Sequence, residues 1–325
     1  MVVAWGRSWH EVPPEIDLLF RRFARPRGRG VTTSVLMNMS LTTNSSRIDT
    51  TTDRRAVRAD TVITALHTLS RELDAAPSLE PGPAVDELFD RLVRLVLAVP
   101  DACVAEIMRD PAIAVIGARL RELCARGETA LETAWAARIA TAATPRAELE
   151  QFPYLDNYRR LSRMEVGVLA SAATTRVRSV AFVGAGPLPL SALFIAGELN
   201  VPVDLIDRDP LALDAAGAVA HALGYPDLRL VEADAANADL SRYDIVVLAA
   251  LVGTGPGEKQ RILAHLASAM APRSILLARS ARGLRTVLYP AIDVDAMTAF
   301  DVLSVVHPVN DVINSVVLAR TSSGQ

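Results

Sequence analysis

Several groups of residues in this chain have types and spacings suited to chemistry. Gly184-Ala185-Gly186 follows the apolar run Val180–Val183 and precedes an amphipathic stretch, as a buried parallel strand turning into a helix does. Glycine there lets the backbone turn sharply and admit a ligand that a Cβ would block. A second apolar run, Val203–Ile206, ends in Asp207, placed to accept both hydroxyls of an adenosine ribose. A third ends in Glu232-Ala-Asp234, and Asp234 would lie near the adenine amino group. Pro187-Leu-Pro189 stands where a dinucleotide fingerprint has its last glycine, so an adenosyl ligand without a pyrophosphate, such as S-adenosylmethionine, suits the pattern better than NAD.

Glu128 and Glu132 lie four apart in a predicted helix, Ile113–Thr141. Leu123, Ala130, Leu131 and Trp135 make their surroundings apolar, where a carboxylate would hold its proton more tightly and could act as a general base. Such a pair is also what a solvated helix face carries. Downstream, Gln151-Phe-Pro-Tyr-Leu-Asp-Asn-Tyr158 opens a helix at Pro153 and sets Tyr154 and Tyr158 on one face; on the residues alone they read as aromatic anchors. Ala250 and Leu251 follow the fourth predicted strand, and Arg279 and Arg282 the fifth, where an open sheet gathers its ligand contacts. Either arginine could hold a substrate carboxylate or balance Asp293 and Asp295 as loop charge. His307 has no partner at metal spacing and reads as structural.

The elements that must position these residues fall into two blocks. From about Arg58 to Ala173 the apolar spacing is helical: Val62, Leu66, Leu69 and Leu73 form one face, and Val85, Leu88, Phe89, Leu92 and Val96 another. This predicts a helical domain, 57–174, of four or five helices, with a break from Ala143 to Pro153. From Val177 strands (180–183, 203–206, 228–231, 245–248, 274–278, 300–305, 315–318) alternate with helices (191–199, 211–223, 258–270). The expected fold class is α/β: a Rossmann-like, methyltransferase-type parallel sheet over 175–325 whose last strand is antiparallel. Residues 1–56, with Arg21-Arg22, Arg25–Arg29 and a Thr/Ser/Asn-rich stretch, read as a basic arm, a disordered tail or an over-extended start.

Composition bounds the function. Half of the 325 residues are apolar, and the formal charge of -3 argues against a general nucleic-acid or anionic-membrane binder. Cys103 and Cys124 form no CxxC pair, which suits a cytoplasmic protein without a disulfide frame or cysteine-based zinc. No apolar run is long enough to span a membrane. Small-molecule substrates, no nucleic acid, no membrane and no enzyme-bound metal are the expectation, with a homodimer left open.

Six ordered blocks resemble the nicotianamine synthase family: FPYLDNYRRLSRME, VAFVGAGPLPLSAL, LAALVGTGPGEKQRIL, HLASAMAPRSILLARSARG, VLYPAID and FDVLSVVHPVNDVINSVVLAR. The resemblance implies a methyltransferase-like fold that transfers the 3-amino-3-carboxypropyl group of S-adenosylmethionine and releases 5′-methylthioadenosine. Three donors, through two condensations and one azetidine closure, give nicotianamine, a metal chelator. The resemblance puts the base at Glu128 and a tyrosine of the FPY block, Tyr154, beside the attacking amine; Tyr158, and Arg279 or Arg282, are expected toward substrate. Leu155, Arg282, Asn310 and Asp311 depart from the family's pattern. Leu155 and Arg282, the two nearest the expected substrate, leave open another acceptor (an opine-type chelator) or cyclisation to azetidine-2-carboxylate. An ordinary methyltransferase and a non-catalytic S-adenosylmethionine-binding subunit are the readings of other classes.

Overall fold

The computed structural model describes residues 59–172, 176–226, 228–255 and 257–322, which fall within one compact unit. The expectations for residues 1–56 lie outside the described residues.

Six helices precede the first strand among the described residues: α1 (Ala59–Ala75), α2 (Pro83–Ala98), α3 (Asp101–Ile107), α4 (Pro111–Thr141), α5 (Pro145–Leu149) and α6 (Leu155–Ala172). That exceeds the expected four or five because α3 and α5 are only 7 and 5 residues long, too short to show an apolar period. Proline starts each: Pro100 caps α3, and Pro145 opens α5 inside the predicted break. In α1 the spaced Val62, Leu66, Leu69 and Leu73 are all buried.

The axis of this half is α4, 31 residues and roughly 46 Å long at 1.5 Å per residue. Asp110 caps it, its carboxylate accepting from the Ala112 N–H at 2.8 Å, and Pro111 occupies the first turn. Midway, Gly127 meets the Phe89 ring of α2 so closely that a Cβ would lie 2.4 Å from it. Glycine costs about 1 kcal/mol in a helix interior, and here it lets the two helices touch at the residue next to Glu128 and little more than one turn from Glu132.

The sheet has strands β1 (Val180–Val183), β2 (Val203–Asp207), β3 (Leu230–Glu232), β4 (Ile245–Leu248), β5 (Ile275–Ser280), β6 (Phe300–Val306) and β7 (Ser315–Thr321), in the order β3-β2-β1-β4-β5-β7-β6. The last strand, β7, runs antiparallel to both neighbours, as expected. Helices α7 (Leu190–Leu199), α8 (Pro210–Leu223) and α9 (Glu258–Ala269) connect the parallel strands. Every residue of β1 and β4 is buried, which is why they read as unbroken apolar runs. The strand order reverses between them, and ligands of such sheets bind at that point, beyond the carboxyl ends of the strands.

One apolar cluster runs from Leu66, Leu92 and Leu120 of the helices to Leu190, Leu193, Val219 and Leu223 on α7 and α8. Polar ties reinforce it: Arg146 Nη2 donates to the Leu223 carbonyl at 2.8 Å, and Arg121 Nη1 to the Thr286 carbonyl at 2.7 Å. The helices thus form a wall over the carboxyl ends of β1, β2 and β4. No helix among the described residues is long and apolar enough to cross a membrane.

Candidate active site

A cleft of about 380 Å³ lies between this wall and the strand ends. Its sheet side is built from loops. Gly184 and Gly186 follow β1 with φ of +83° and +64°, in the left-handed region that favours glycine. A Cβ on Gly184 would fall 2.2 Å from Val252 Cγ2, in the loop after β4. Asp207, at the tip of β2, is held on both oxygens: Oδ2 accepts from the Gly186 N–H at 2.9 Å and Oδ1 from the Asp209 N–H at 3.1 Å. These bonds orient the carboxylate of a residue that lines the cleft. Asp234 also lines it, its Oδ1 accepting from the Ala236 N–H at 2.8 Å.

Ala250 and Leu251 complete this side. Their loop is pinned by Lys259, whose buried Nζ donates to the Ala250 carbonyl at 3.0 Å and to the Ala249 carbonyl at 3.5 Å. Burial lowers the ammonium's pKa to about 8.

The helical side is acidic and phenolic. Both Glu128 and Glu132 line the cleft, on successive turns of α4. Tyr158 Oη on α6 donates to Glu132 Oε1 at 2.6 Å, and Tyr289 Oη donates to Glu128 Oε2 at 3.1 Å. A Cβ on Gly186 would lie 2.9 Å from Glu132 Oε2, so the second glycine of the turn makes room for this carboxylate. Burial raises Glu132's pKa to about 8, the Glu128 charge one turn away pushes the same way, and the Tyr158 hydrogen bond opposes both. Both phenols are held well above their usual pKa, first by burial and then by the carboxylates, and so remain donors. The Cys124 thiol beside them is pushed up to about 12, chiefly by burial, and stays protonated.

Arg279, at the end of β5, reaches the same cleft with its guanidinium gripped by Glu165 of α6: Nε to Oε1 at 2.6 Å, Nη2 to Oε2 at 3.0 Å. Burial opposes its charge, but Glu165 more than compensates. The Phe182 ring lies 5.3 Å from the guanidinium carbon.

The structure therefore brings together Gly184, Ala185, Gly186, Asp207, Asp234, Ala250, Leu251, Glu128, Tyr158 and Arg279. It does not bring Tyr154 or Arg282 to them. Tyr154 precedes α6 instead of sharing a helical face with Tyr158, and it is 1% exposed, packed edge-on to Phe152 at 5.5 Å. Pro153 and the turn before α6 rotate it into the helical core. Arg282 caps a 3₁₀ turn, Gly283–Val287, and is exposed. Sequence patterns alone do not reveal Tyr289, Glu165 and Lys259. Tyr289 stands in VLYPAID and Glu165 in FPYLDNYRRLSRME, but nothing in spacing ties either to a partner more than a hundred residues away. Among the described residues, no three His, Cys, Asp or Glu side chains converge as a metal would require.

Comparison with known proteins gives a consistent result. The family described as "Nicotianamine synthase protein" matches residues 55–324. The chain is 36% identical over 277 residues to nicotianamine synthase 9 of Hordeum vulgare, covering 82% of this chain and 81% of that protein. It is 33% identical over 259 residues to nicotianamine synthase of Solanum lycopersicum, covering 78% and 81%. Among solved structures, a Glu-to-Gln mutant of MtNAS in complex with S-adenosylmethionine matches at a TM-score of 0.70 and 20% identity, covering 80% of this chain and 98% of that one. MtNAS in complex with MTA and tNA matches at a TM-score of 0.68, covering 81% and 96%. At that identity the structures show the fold.

Proposed function

This chain belongs to the nicotianamine synthase family, whose members are S-adenosylmethionine-dependent 3-amino-3-carboxypropyl transferases, and we propose that Glu132, hydrogen-bonded to Tyr158, is the base of that reaction. The donor's sulfonium supplies the leaving group. An amine attacks Cγ of the aminocarboxypropyl group, a C–N bond forms, and the C–S pair moves onto sulfur to give neutral 5′-methylthioadenosine. Each such step leaves one excess proton on the nitrogen. A carboxylate with a pKa near 8 is close in proton affinity to an α-amine, so transfer between them is nearly balanced.

The adenosyl group is held by Asp207 at the ribose, Asp234 at the adenine edge and the turn Gly184–Gly186, with the Ala250–Leu251 loop beneath. Held there, the sulfonium projects toward α4, which would orient Cγ and turn the methyl aside. Glu128 with Tyr289 supplies a second anionic site one turn away, suited to the ammonium of the accepting amino acid. Two condensations and one ring closure then yield nicotianamine, whose amines and carboxylates chelate metal after release. A cytoplasmic setting is supported by the free thiols of Cys103 and Cys124.

The observation that carries this reading is the 2.6 Å Tyr158–Glu132 bond beside the Gly186 turn. The test is mass spectrometry of the protein incubated with S-adenosylmethionine alone. Methylthioadenosine with a nicotianamine mass is the expected result. Adenosylhomocysteine as the by-product would replace this reading with methyl transfer.

A further inference from the structure

Two buried polar atoms in the cleft have no hydrogen-bond partner among the described residues, and neither belongs to the groups that hold the adenosyl end or the glutamates: Ser191 Oγ and Asn314 Nδ2. Their residues are 4% and 2% exposed, and both side chains line the same cavity as Arg279, itself 8% exposed. A buried donor left unpaired is destabilising, so two of them on one cavity wall point to a polar group that they bind.

Position and sign identify that group. Ser191 is the second residue of α7, a 10-residue helix whose N-cap, Pro189, offers no side-chain cap. The first N–H groups of a helix lack intrahelical acceptors and carry the positive end of its dipole. Asn314 immediately precedes β7, whose Ser315 pairs with Ser280 of β5, so it stands at the strand end that also carries Arg279. A hydroxyl, an amide N–H, a guanidinium and a helix N-terminus are all donors, which suits an acceptor-only anion. Across the cleft Glu132 faces Gly186, five residues before Ser191 in the same β1–α7 turn. Carboxyl groups on one side, able to accept from an ammonium, and donors on the other match the two ends of an amino-acid zwitterion.

We infer that Ser191 and Asn314, backed by Arg279, form the subsite for the α-carboxylate of an aminobutyrate tail. The inference rests on the transferase reading and deepens it. With the ammonium drawn to the glutamates and the carboxylate anchored at α7 and β7, the tail is fixed at both ends and Cγ has one direction to face. The carboxylate belongs either to the donor's transferred group or to the accepting molecule, and binding measurements separate the two.

The experiment compares wild type with Ser191→Ala and Asn314→Asp by calorimetric titration of methylthioadenosine, which lacks the tail, and adenosylhomocysteine, which carries it. Asn314→Asp keeps the shape and repels a carboxylate. Loss of one charge-assisted hydrogen bond corresponds to roughly tenfold in Kd. If the donor's carboxylate sits here, adenosylhomocysteine binding weakens about tenfold or more while methylthioadenosine binding stays within about twofold, which also shows that the variants are folded. If the acceptor's sits here, adenosylhomocysteine binds unchanged and the donor concentration for half-maximal methylthioadenosine release rises about tenfold. Both ligands and the turnover unchanged, or both ligands weakened equally, would overturn the subsite. A wild type that releases adenosylhomocysteine would overturn the transferase reading alone, because the difference between the two ligands is an equilibrium quantity.

Discussion

The two sides of the cleft are built by different rules. On the sheet side, the groups that we propose hold the adenosyl ligand come from the tips of successive strands, and backbone N–H groups of the strand-end loops orient them. Asp207 is oriented by Asp209 two residues on and by Gly186 in the turn after the adjacent strand, and Asp234 by Ala236. On the helical side, each carboxylate is oriented by a phenol side chain from a separate element: Glu132 by Tyr158, 26 residues on, and Glu128 by Tyr289, 161 residues on. Arg279 and Glu165 are 114 apart. The sheet side is a binding surface of backbone and small residues. The helical side sets protonation, and only packing brings its members together. The contrast predicts that damage on the sheet side weakens binding, whereas damage on the helical side slows the chemistry.

The largest effect is expected at the point where the two sides meet. Gly186→Ala introduces a Cβ 2.9 Å from Glu132 Oε2 in a left-handed backbone, so both methylthioadenosine affinity and turnover fall, the latter by about 10³ or more. Equilibrium titration beside a turnover assay checks whether both are lost.

Next in size, Glu132→Gln lowers turnover by roughly 10²–10⁴, the usual contribution of a general base, with methylthioadenosine binding kept. Glu128→Gln under the same assay decides between the neighbours: if it alone abolishes turnover, the base is Glu128. Tyr158→Phe removes the hydrogen bond to Glu132 and slows turnover about tenfold, while Tyr154→Phe, whose ring lies outside the cleft, leaves the rate within about twofold. The reverse order would restore Tyr154 as the phenol beside the amine.

Asp207→Asn tests the sheet side. It raises the Kd for methylthioadenosine about tenfold and alters the rate at saturation little; a change confined to the saturated rate would break the contrast.

A separate effect is read in stability against pH. Glu132 keeps its proton in the folded state up to about pH 8 and loses it in the unfolded state near 4.5. Between those values the folded state binds more protons, so this group lowers stability as pH rises and its contribution is flat above about 8. The Tm of wild type should fall more than that of Glu132→Gln between pH 5 and 8, measured by calorimetry at constant ionic strength. Parallel curves for the two would mean that Glu132 is ionised across the range.

The same contrast explains what was legible in the sequence. Strand–helix alternation, the glycine turn and the acids at strand tips are local patterns, each carried by a few neighbouring residues. Gly184, Gly186, Asp207 and Asp234 all stand where those patterns put them, and the last strand is antiparallel as expected. Spacing also flagged Glu128 and Glu132 as a pair. It could not say which of them faces the turn after β1, because that depends on how α4 is rotated against the sheet, and Phe89 packing into Gly127 helps to set that rotation. Tyr154 and Tyr158 were likewise indistinguishable on a helical wheel. Only the turn at Pro153 sends one ring into the helical core and leaves the other on Glu132. Periodicity and backbone chemistry act over a few residues, so the sequence by itself determined the elements and the strand-tip loops that line the sheet side of the cleft. The protonation state of the other end depends on burial and on charges that meet only when the helical wall closes over the sheet, and the tertiary structure alone decided it.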